Sequence, residues 1–69
     1  MNYPLISLKA ARINANLTQE EAAKMLCISK ATLQNYESGE TSPTMELVEK
    51  ISKIYNFPKD YIFFGKRYA

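Results

Sequence analysis

Residues 18–37, TQEEAAKMLCISKATLQNYE, contain polar side chains that can hydrogen-bond to base edges. Lys30 can donate to O6 and N7 of guanine or to a phosphate, and Asn35 can pair with N6 and N7 of adenine. Gln34 carries the same amide group as Asn35, whereas Ala31 offers only a methyl group for contact with a thymine methyl. These residue types are suited to contacts with DNA.

The scarcity of three residue types, cysteine, histidine and glycine, limits the other chemistry that is available. Cys27 is the single cysteine and the chain has no histidine, which excludes an internal disulfide, a Cys/His zinc site and Ser-His-Asp or Cys-His catalysis. Gly39 and Gly65 are the only glycines, so there is no Gly-rich phosphate loop. Because the residue combinations of common catalytic sites are missing, the sequence disfavours an enzymatic function. We also expect no metal, no cofactor and no small-molecule ligand.

Length and composition are typical of one small globular domain. The chain has 69 residues, 46% of them hydrophobic and 23% charged, which suits a single domain over residues 1–69. No apolar run approaches the ~20 residues of a membrane span, and residues 1–6 are too short for a signal peptide. We therefore expect a cytoplasmic protein without a membrane partner.

The net charge is only mildly basic. Nine Lys and Arg residues against seven Asp and Glu residues give +2 at pH 7, and residues 18–37 carry three Glu against two Lys. This balance does not by itself indicate a nucleic-acid partner. Binding to DNA would have to depend on the geometry of the site rather than on bulk charge.

Two short capped helices are predicted to position the polar side chains. Thr18 can cap the first of them, and Glu21 follows at the spacing of a capping box. Ser29 can cap the second, and only Cys27 and Ile28 separate the two helices, which forces a sharp crossing. Such a pair is either a helix-turn-helix, whose second helix enters the major groove, or an ordinary helical hairpin packed for stability.

Further caps and stops predict three more helices. Ser7 can cap LKAARINA, which Asn16 would end in a left-handed conformation, and Thr44 can cap MELVEKISKIY, which Asn56 would end. Pro58 can begin a short fifth helix, PKDYIF. The sequence therefore predicts a compact all-α fold of five helices, with room for a short extended segment at each end.

The whole pattern resembles the Cro/C1-type phage repressors, also called the XRE family. The matching stretches are LKAAR, LTQEEAAKML, ISKATLQNYESGETSP and FPKDYI, in order between Leu8 and Ile62. The resemblance implies a lambda-repressor-like five-helix domain whose helix-turn-helix, residues 18–37, binds operator DNA, usually as a symmetric dimer. It implies a sequence-specific regulator of transcription, of the repressor type carried by phages and mobile elements. The alternative is an antitoxin or protein-interaction module built on the same bundle.

The resemblance also implies roles for individual residues. Base contacts are expected from Lys30, Ala31, Gln34 and Asn35, and phosphate contacts from Thr18, Gln19, Ser29, Thr32, Ser38 and Thr41. Arg12 and Glu37 match the family's partly buried ion pair, which is either purely structural or also lets Arg12 reach a phosphate.

Two positions depart from the family pattern. Cys27 stands where the turn often has Gly, and a left-handed Cys costs on the order of 1 kcal/mol. Glu40 stands where the loop often carries a basic residue, which removes one attraction to phosphate.

The aromatic C-terminal tail, residues 61–68, is a candidate for self-association. Phe63, Phe64 and Tyr68 can either cover the core of the monomer or form a dimer surface. We expect a homodimer that is weak off DNA. We also expect an extended segment in this tail or in the apolar arm, residues 3–6, and Phe63 or Phe64 in or near the dimer contact.

Overall fold

Side-chain caps begin all four α-helices of residues 4–64, the part of the chain that the computed structural model describes. The helices are α1 (Leu8–Asn14), α2 (Gln19–Leu26), α3 (Lys30–Ser38) and α4 (Met45–Tyr55). Each cap accepts a hydrogen bond of 3.0–3.2 Å from the backbone N–H three residues later, and the caps are Ser7, Thr18, Ser29 and Thr44. The Thr18–Glu21 capping box is complete. The four predicted caps are therefore confirmed.

Left-handed residues end the helices or their last turns. Asn16, Cys27 and Asn56 have φ between 54° and 61°, and Gly39 has φ 86°. Asn and Gly tolerate this conformation well, whereas Cys27 must adopt it at φ 60° with a Cβ present. The strained turn that the departure from Gly predicts is present, and it separates α2 from α3.

The predicted fifth helix is not an α-helix. Lys59–Tyr61 forms one turn of 3₁₀ helix, and the chain then becomes the strand β2, Ile62–Phe63. Pro58 precedes the turn with extended backbone and no side-chain cap hydrogen bond. Ile62 is buried and leaves the helical path to pair with another strand, so the tertiary contact overrides the local helical signal. The expectation of five helices is therefore not confirmed, because this element is a single 3₁₀ turn followed by a strand.

A small parallel sheet joins the two ends of the described chain. The strand β1, Ile6–Ser7, pairs with β2 in the register Ile6–Ile62 and Ser7–Phe63. The short extended segments expected near the termini are thus present. Of the two candidate segments for self-association, Tyr3 of the arm and residues 65–68 of the tail lie outside the described residues.

One core of apolar side chains connects the helices and β2. Its buried members are Leu8, Ala11, Ala22, Ala23, Leu26, Leu33, Val48, Ile51, Tyr55, Phe57, Ile62 and Phe64. Leu33 is the one fully buried residue of α3, and Lys30, Ala31, Gln34 and Asn35 of that short helix are exposed. Among residues 4–64, no helix is long and apolar enough to cross a membrane.

Candidate nucleic-acid interface

The outer face of α3 is polar and exposed. Lys30, Ala31, Gln34 and Asn35 are all exposed, and Leu33 anchors the helix to the core on the opposite side. The left-handed Cys27 and the Ser29 cap set the angle at which α3 leaves α2. The structure therefore brings the four candidate base-contacting residues onto one solvent-facing surface.

Two of the hydroxyl groups predicted to contact phosphate, those of Thr18 and Ser29, serve as helix caps. Thr18 Oγ1 accepts from the Glu21 N–H at 3.1 Å, and Ser29 Oγ accepts from the Thr32 N–H at 3.0 Å. Ser29 Oγ and Thr32 Oγ1 lie 2.8 Å apart, so one of these two hydroxyl protons is shared between them. A hydroxyl that accepts from a backbone N–H keeps its own proton. Thr18 can therefore still donate to a phosphate, as can one member of the Ser29–Thr32 pair.

The two predicted loop contacts differ in their availability. Ser38 Oγ donates to the Asn35 carbonyl oxygen at 3.1 Å, so its proton is used within α3. Thr41 is exposed beyond the end of α3. Glu40 beside it is also exposed, and its negative charge opposes an approaching phosphate.

Arg12 and Glu37 form a buried ion pair between α1 and α3. Arg12 Nε donates to Glu37 Oε2 at 2.6 Å and Arg12 Nη2 lies 3.4 Å from Glu37 Oε1. The two side chains are only 9% and 5% exposed. Arg12 Nη1 also donates to the Leu17 carbonyl oxygen at 2.9 Å, in the link before α2. The guanidinium thus holds α1, the α1–α2 link and α3 together.

Tyr55 of α4 lies close enough to this ion pair to interact with both charges. Burial raises the pKa of its phenol to about 12, and the negative charge of Glu37 adds to the rise while Arg12 opposes it. The buried hydroxyl has no hydrogen-bond partner within residues 4–64. Tyr55 therefore keeps its neutral form while bearing the cost of an unsatisfied polar atom.

Gln19 connects the ion pair to the outer face of α3. Gln19 Nε2 donates to Glu37 Oε1 at 2.9 Å, and Gln34 Nε2 donates to Gln19 Oε1 at 3.3 Å. These contacts join residues 18 and 15 positions apart in the chain. No local sequence pattern indicates them, because they depend on the crossing of α2 and α3.

A shallow cleft opens at the N-terminus of α2. It is lined by Lys9, Arg12, Thr18, Gln19, Glu20 and Lys30. Lys30 Nζ lies 4.0 Å from Glu20 Oε2, and the two side chains are 51% and 80% exposed. Cations and helical N–H groups at one place suit a phosphate, whereas Glu20 opposes it.

Sequence reasoning did not assign Lys9 or Glu20 to the site. Lys9 stands three positions before Arg12 on α1, a spacing that places both on one helix face. This spacing could have indicated from the sequence that Lys9 belongs to the site. Glu20 is a first-turn acidic residue of α2, a position that helix stability alone explains, so nothing local indicated its approach to Lys30.

The two aromatic candidates for the dimer contact have different surroundings. Phe64 is 6% exposed and belongs to the core, whereas Phe63 is 42% exposed. An apolar groove beside β2 is lined by Pro43, Met45, Val48, Lys59, Asp60, Ile62 and Phe64. Phe63 is therefore the member of the pair that can meet a partner.

Residues 4–64 contain no group of three or more His, Cys, Asp or Glu side chains that could hold an ion. Cys27 is exposed at the turn between α2 and α3.

Comparison with known proteins agrees with this geometry. A family model described as helix-turn-helix matches residues 8–62. The chain is 42% identical over 55 residues to the HTH-type transcriptional regulator ImmR of Bacillus subtilis. The aligned residues make up 80% of this chain and 43% of that protein. It is 39% identical over 51 residues to the cryptic phage CTXphi transcriptional repressor RstR of Vibrio cholerae, and the alignment covers 74% of this chain and 46% of that protein.

A third relative carries a different regulatory name. The chain is 36% identical over 59 residues to the HTH-type transcriptional activator BcrR of Enterococcus faecalis, with 86% of this chain and 29% of that protein covered. The chain thus spans less than half the length of these three relatives. The match over residues 8–62 nevertheless contains α1 to α4 and the exposed face of α3. The chain therefore belongs to the XRE-type helix-turn-helix family, a family of DNA-binding transcriptional regulators and not a class of enzymes.

Proposed function

We propose that this chain is a sequence-specific regulator of transcription that acts in the cytoplasm and recognises operator half-sites in the major groove of double-stranded DNA. The observation that carries the proposal is the polar, exposed face of α3, anchored by Leu33 at a helix-turn-helix crossing. Repression of a phage or mobile-element operator is favoured because one relative is named a phage repressor.

Base recognition is assigned to the outer face of α3. Lys30 lies at the first position of the helix, where the N-terminus of a recognition helix approaches the groove, and Asn35 lies between one and two turns further. An amide pairs with adenine through N6 and N7, and a lysine donates to guanine. Ala31 and Gln34 complete this surface.

Phosphate binding is assigned to the cleft at the N-terminus of α2. The first-turn N–H groups of a helix attract anions, and Lys9 and Lys30 add two positive charges beside them. The predicted phosphate contacts of Thr18, Gln19, Ser29, Thr32, Ser38 and Thr41 belong to this proposal. Ser38 is the weakest of them, since its hydroxyl proton is already donated to Asn35.

A homodimer is part of the proposal, because one helix-turn-helix contacts few base pairs. A single module buries about 600–1,000 Å² against DNA, which is small for specific binding at cellular salt. Two copies related by a two-fold axis would contact half-sites ~34 Å apart. The exposed Phe63 at the sheet supports a contact outside the DNA-binding face.

Selection of bound DNA from a random pool tests the function. We expect enrichment of a short sequence, repeated with dyad symmetry, and loss of that enrichment in Lys30→Ala/Asn35→Ala. Lys50→Ala, which removes an exposed lysine of α4, is the matched control and should select the wild-type sequence. Folded wild-type protein that enriches no sequence would overturn the proposal.

A protein-interaction module is the second candidate. The apolar groove beside β2 and the exposed Met45, at 67%, favour it. If the selection from a random pool enriches no sequence although the protein has the helical content of the folded domain, the result would support this candidate over DNA recognition.

A further inference from the structure

We propose that Glu37 fixes the amide orientation of Gln34 through Gln19, so that Gln34 presents Oε1 to the groove and selects a base carrying an amino hydrogen, adenine above all. The inference deepens the proposed function and rests on it, because it concerns bases contacted by α3. Glu37 and Gln19 act here as positioning residues. Gln34 is the residue that determines specificity at the base it contacts.

The orientation begins at Glu37. Its carboxylate is paired with Arg12 at 2.6 Å and can only accept hydrogen bonds. Gln19 must therefore turn Nε2, its donor, toward Glu37 Oε1 at 2.9 Å. The opposite amide orientation would place two oxygens at that distance beside a side chain that is 5% exposed, where water cannot relieve the repulsion.

The second step transfers the orientation to α3. Once Nε2 of Gln19 faces Glu37, Oε1 of Gln19 is the atom left for Gln34, at 3.3 Å from Gln34 Nε2. An oxygen acceptor requires a donor, so Gln34 cannot turn its own oxygen inward without losing this bond. Within residues 4–64, Gln34 Oε1 accepts no hydrogen bond, and the Gln34 side chain is exposed.

The third step follows from the base edges. Adenine presents the N6 amino group beside the N7 acceptor, and cytosine presents the N4 amino group, whereas guanine and thymine present only acceptors as hydrogen-bonding atoms in the major groove. Gln34 keeps Oε1 and the second Nε2 hydrogen for DNA. This pair of atoms matches N6 and N7 of adenine. Guanine and thymine could still accept the second Nε2 hydrogen, but their acceptor atoms would repel the fixed Oε1. A freely rotating glutamine could turn Oε1 away and present both Nε2 hydrogens to these bases, so fixing the amide makes the side chain selective.

The first part of the test needs no DNA. Side-chain amide resonances of Gln19 and Gln34 in ¹⁵N-labelled protein should both shift in Glu37→Gln, because a neutral amide can either donate or accept. The side-chain amide resonances of Gln34 should also shift in Gln19→Met, a substitution that keeps the length of the side chain but removes its amide. Glu49→Gln, an exposed change on α4, should leave both resonances in place. If the Gln34 resonances do not shift in Gln19→Met, Gln19 does not orient the Gln34 amide and the inference is wrong.

The second part measures base preference at the operator position whose selectivity disappears in Gln34→Ala. We expect the wild type to prefer adenine there by about tenfold over guanine, as one amide–adenine pair provides. Gln19→Met should reduce that ratio to about threefold or less, while preferences at the other operator positions persist. A wild-type preference for guanine or thymine, or full discrimination in Gln19→Met, overturns the inference. A wild type that selects no sequence overturns the proposed function instead, and the amide resonances then report separately on the orientation of the Gln34 amide.

Discussion

Glu20 is the acidic side chain that stands closest to the proposed phosphate site. Its carboxylate lies 4.0 Å from Lys30 Nζ, and both groups are largely exposed. A pair of this kind contributes little to folding, about 0–1 kcal/mol. In the proposed complex with DNA, the same carboxylate would compete with phosphate for Lys30 and repel the backbone. We therefore expect Glu20 to matter more for binding than for stability.

Glu20→Gln should bind operator DNA several-fold more tightly than wild type. Its affinity should also fall more steeply with salt, by up to about one additional ion, because Lys30 becomes fully available. Titrations at several salt concentrations measure both quantities. Glu46→Gln, an exposed first-turn change on α4, is the control and should leave the slope unchanged. Equal affinity and slope in Glu20→Gln and wild type would mean that Lys30 does not contact phosphate.

Tyr55 gives a prediction on stability and pH. Its folded pKa of about 12 lies above the ordinary value of 10.0, so folding favours the neutral phenol. The corresponding stability is fully present below pH 10 and is lost as the pH rises towards 12. Over that interval, wild type should lose about 1.4 kcal/mol per pH unit relative to Tyr55→Phe. The two proteins differ only at this residue, so the difference between their urea denaturation curves isolates the contribution of Tyr55.

The same variant tests the unsatisfied hydroxyl at pH 7. Tyr55→Phe removes a buried oxygen that has no hydrogen-bond partner within residues 4–64. Its free energy of unfolding should therefore equal or exceed that of wild type. A loss of more than about 1.5 kcal/mol would show that the hydroxyl makes a hydrogen bond in solution.

At the scale of elements, one buried guanidinium connects α1 to α3. Removing a single partner of a buried ion pair typically costs about 3–5 kcal/mol, whereas replacing both partners by apolar groups is often nearly neutral. Arg12→Met should thus be strongly destabilising, and Arg12→Met/Glu37→Leu should recover much of the loss. Full recovery is not expected, because Gln19 loses its acceptor when Glu37 is replaced.

Urea denaturation of the four proteins in this cycle measures the coupling. A domain of this size has a net stability of only about 3–5 kcal/mol, so an excluded osmolyte such as TMAO keeps the single variants folded. The coupling energy should exceed about 1 kcal/mol. The matched control cycle is Glu49→Leu with Lys53→Met on the exposed face of α4, where the coupling should stay below about 0.5 kcal/mol. Additive effects for Arg12 and Glu37 would contradict their contact in solution.

Elements set by local chemistry were predictable from the sequence, and elements set by distant partners were not. The caps at Ser7, Thr18, Ser29 and Thr44 follow from side chains that bond three residues away. The segment after Pro58 was misassigned because its outcome depends on pairing between Ile62 and Ile6, 56 positions away in sequence (62 minus 6).

The same division holds within the candidate site. The residue types on α3 indicated which side chains could face solvent, since helical periodicity around Leu33 is a local property. The hydrogen bonds of Gln19 to Glu37 and Gln34 were not predictable, because they need the crossing of α2 and α3 and a particular amide orientation. The DNA contacts themselves remain predictions.

At the scale of the whole molecule, the proposed homodimer needs a contact surface away from the exposed face of α3. The two-stranded sheet of the described residues pairs β2 with β1 on one side and leaves β2 an edge for another strand. Phe63 stands on this strand with 42% of its surface exposed, while Phe64 is buried at 6%. A second copy could therefore cover Phe63 without disturbing the core.

Phe63→Ser should weaken assembly on a palindromic operator and leave folding nearly unchanged. Its half-exposed ring contributes little to the monomer core, but it would lie within a small interface that must overcome the cost of association.

Sedimentation should show two protomers per operator for wild type, and a one-to-one complex for Phe63→Ser at the same protein concentration. Ile13→Ser is the matched control, since Ile13 is an apolar residue of α1 that is 55% exposed and lies outside the sheet. It should keep the two-to-one complex, and Phe64→Ser should lower the free energy of unfolding instead. Equal assembly by wild type and Phe63→Ser would place the dimer contact elsewhere, and a one-to-one wild-type complex on a symmetric site would exclude the dimer.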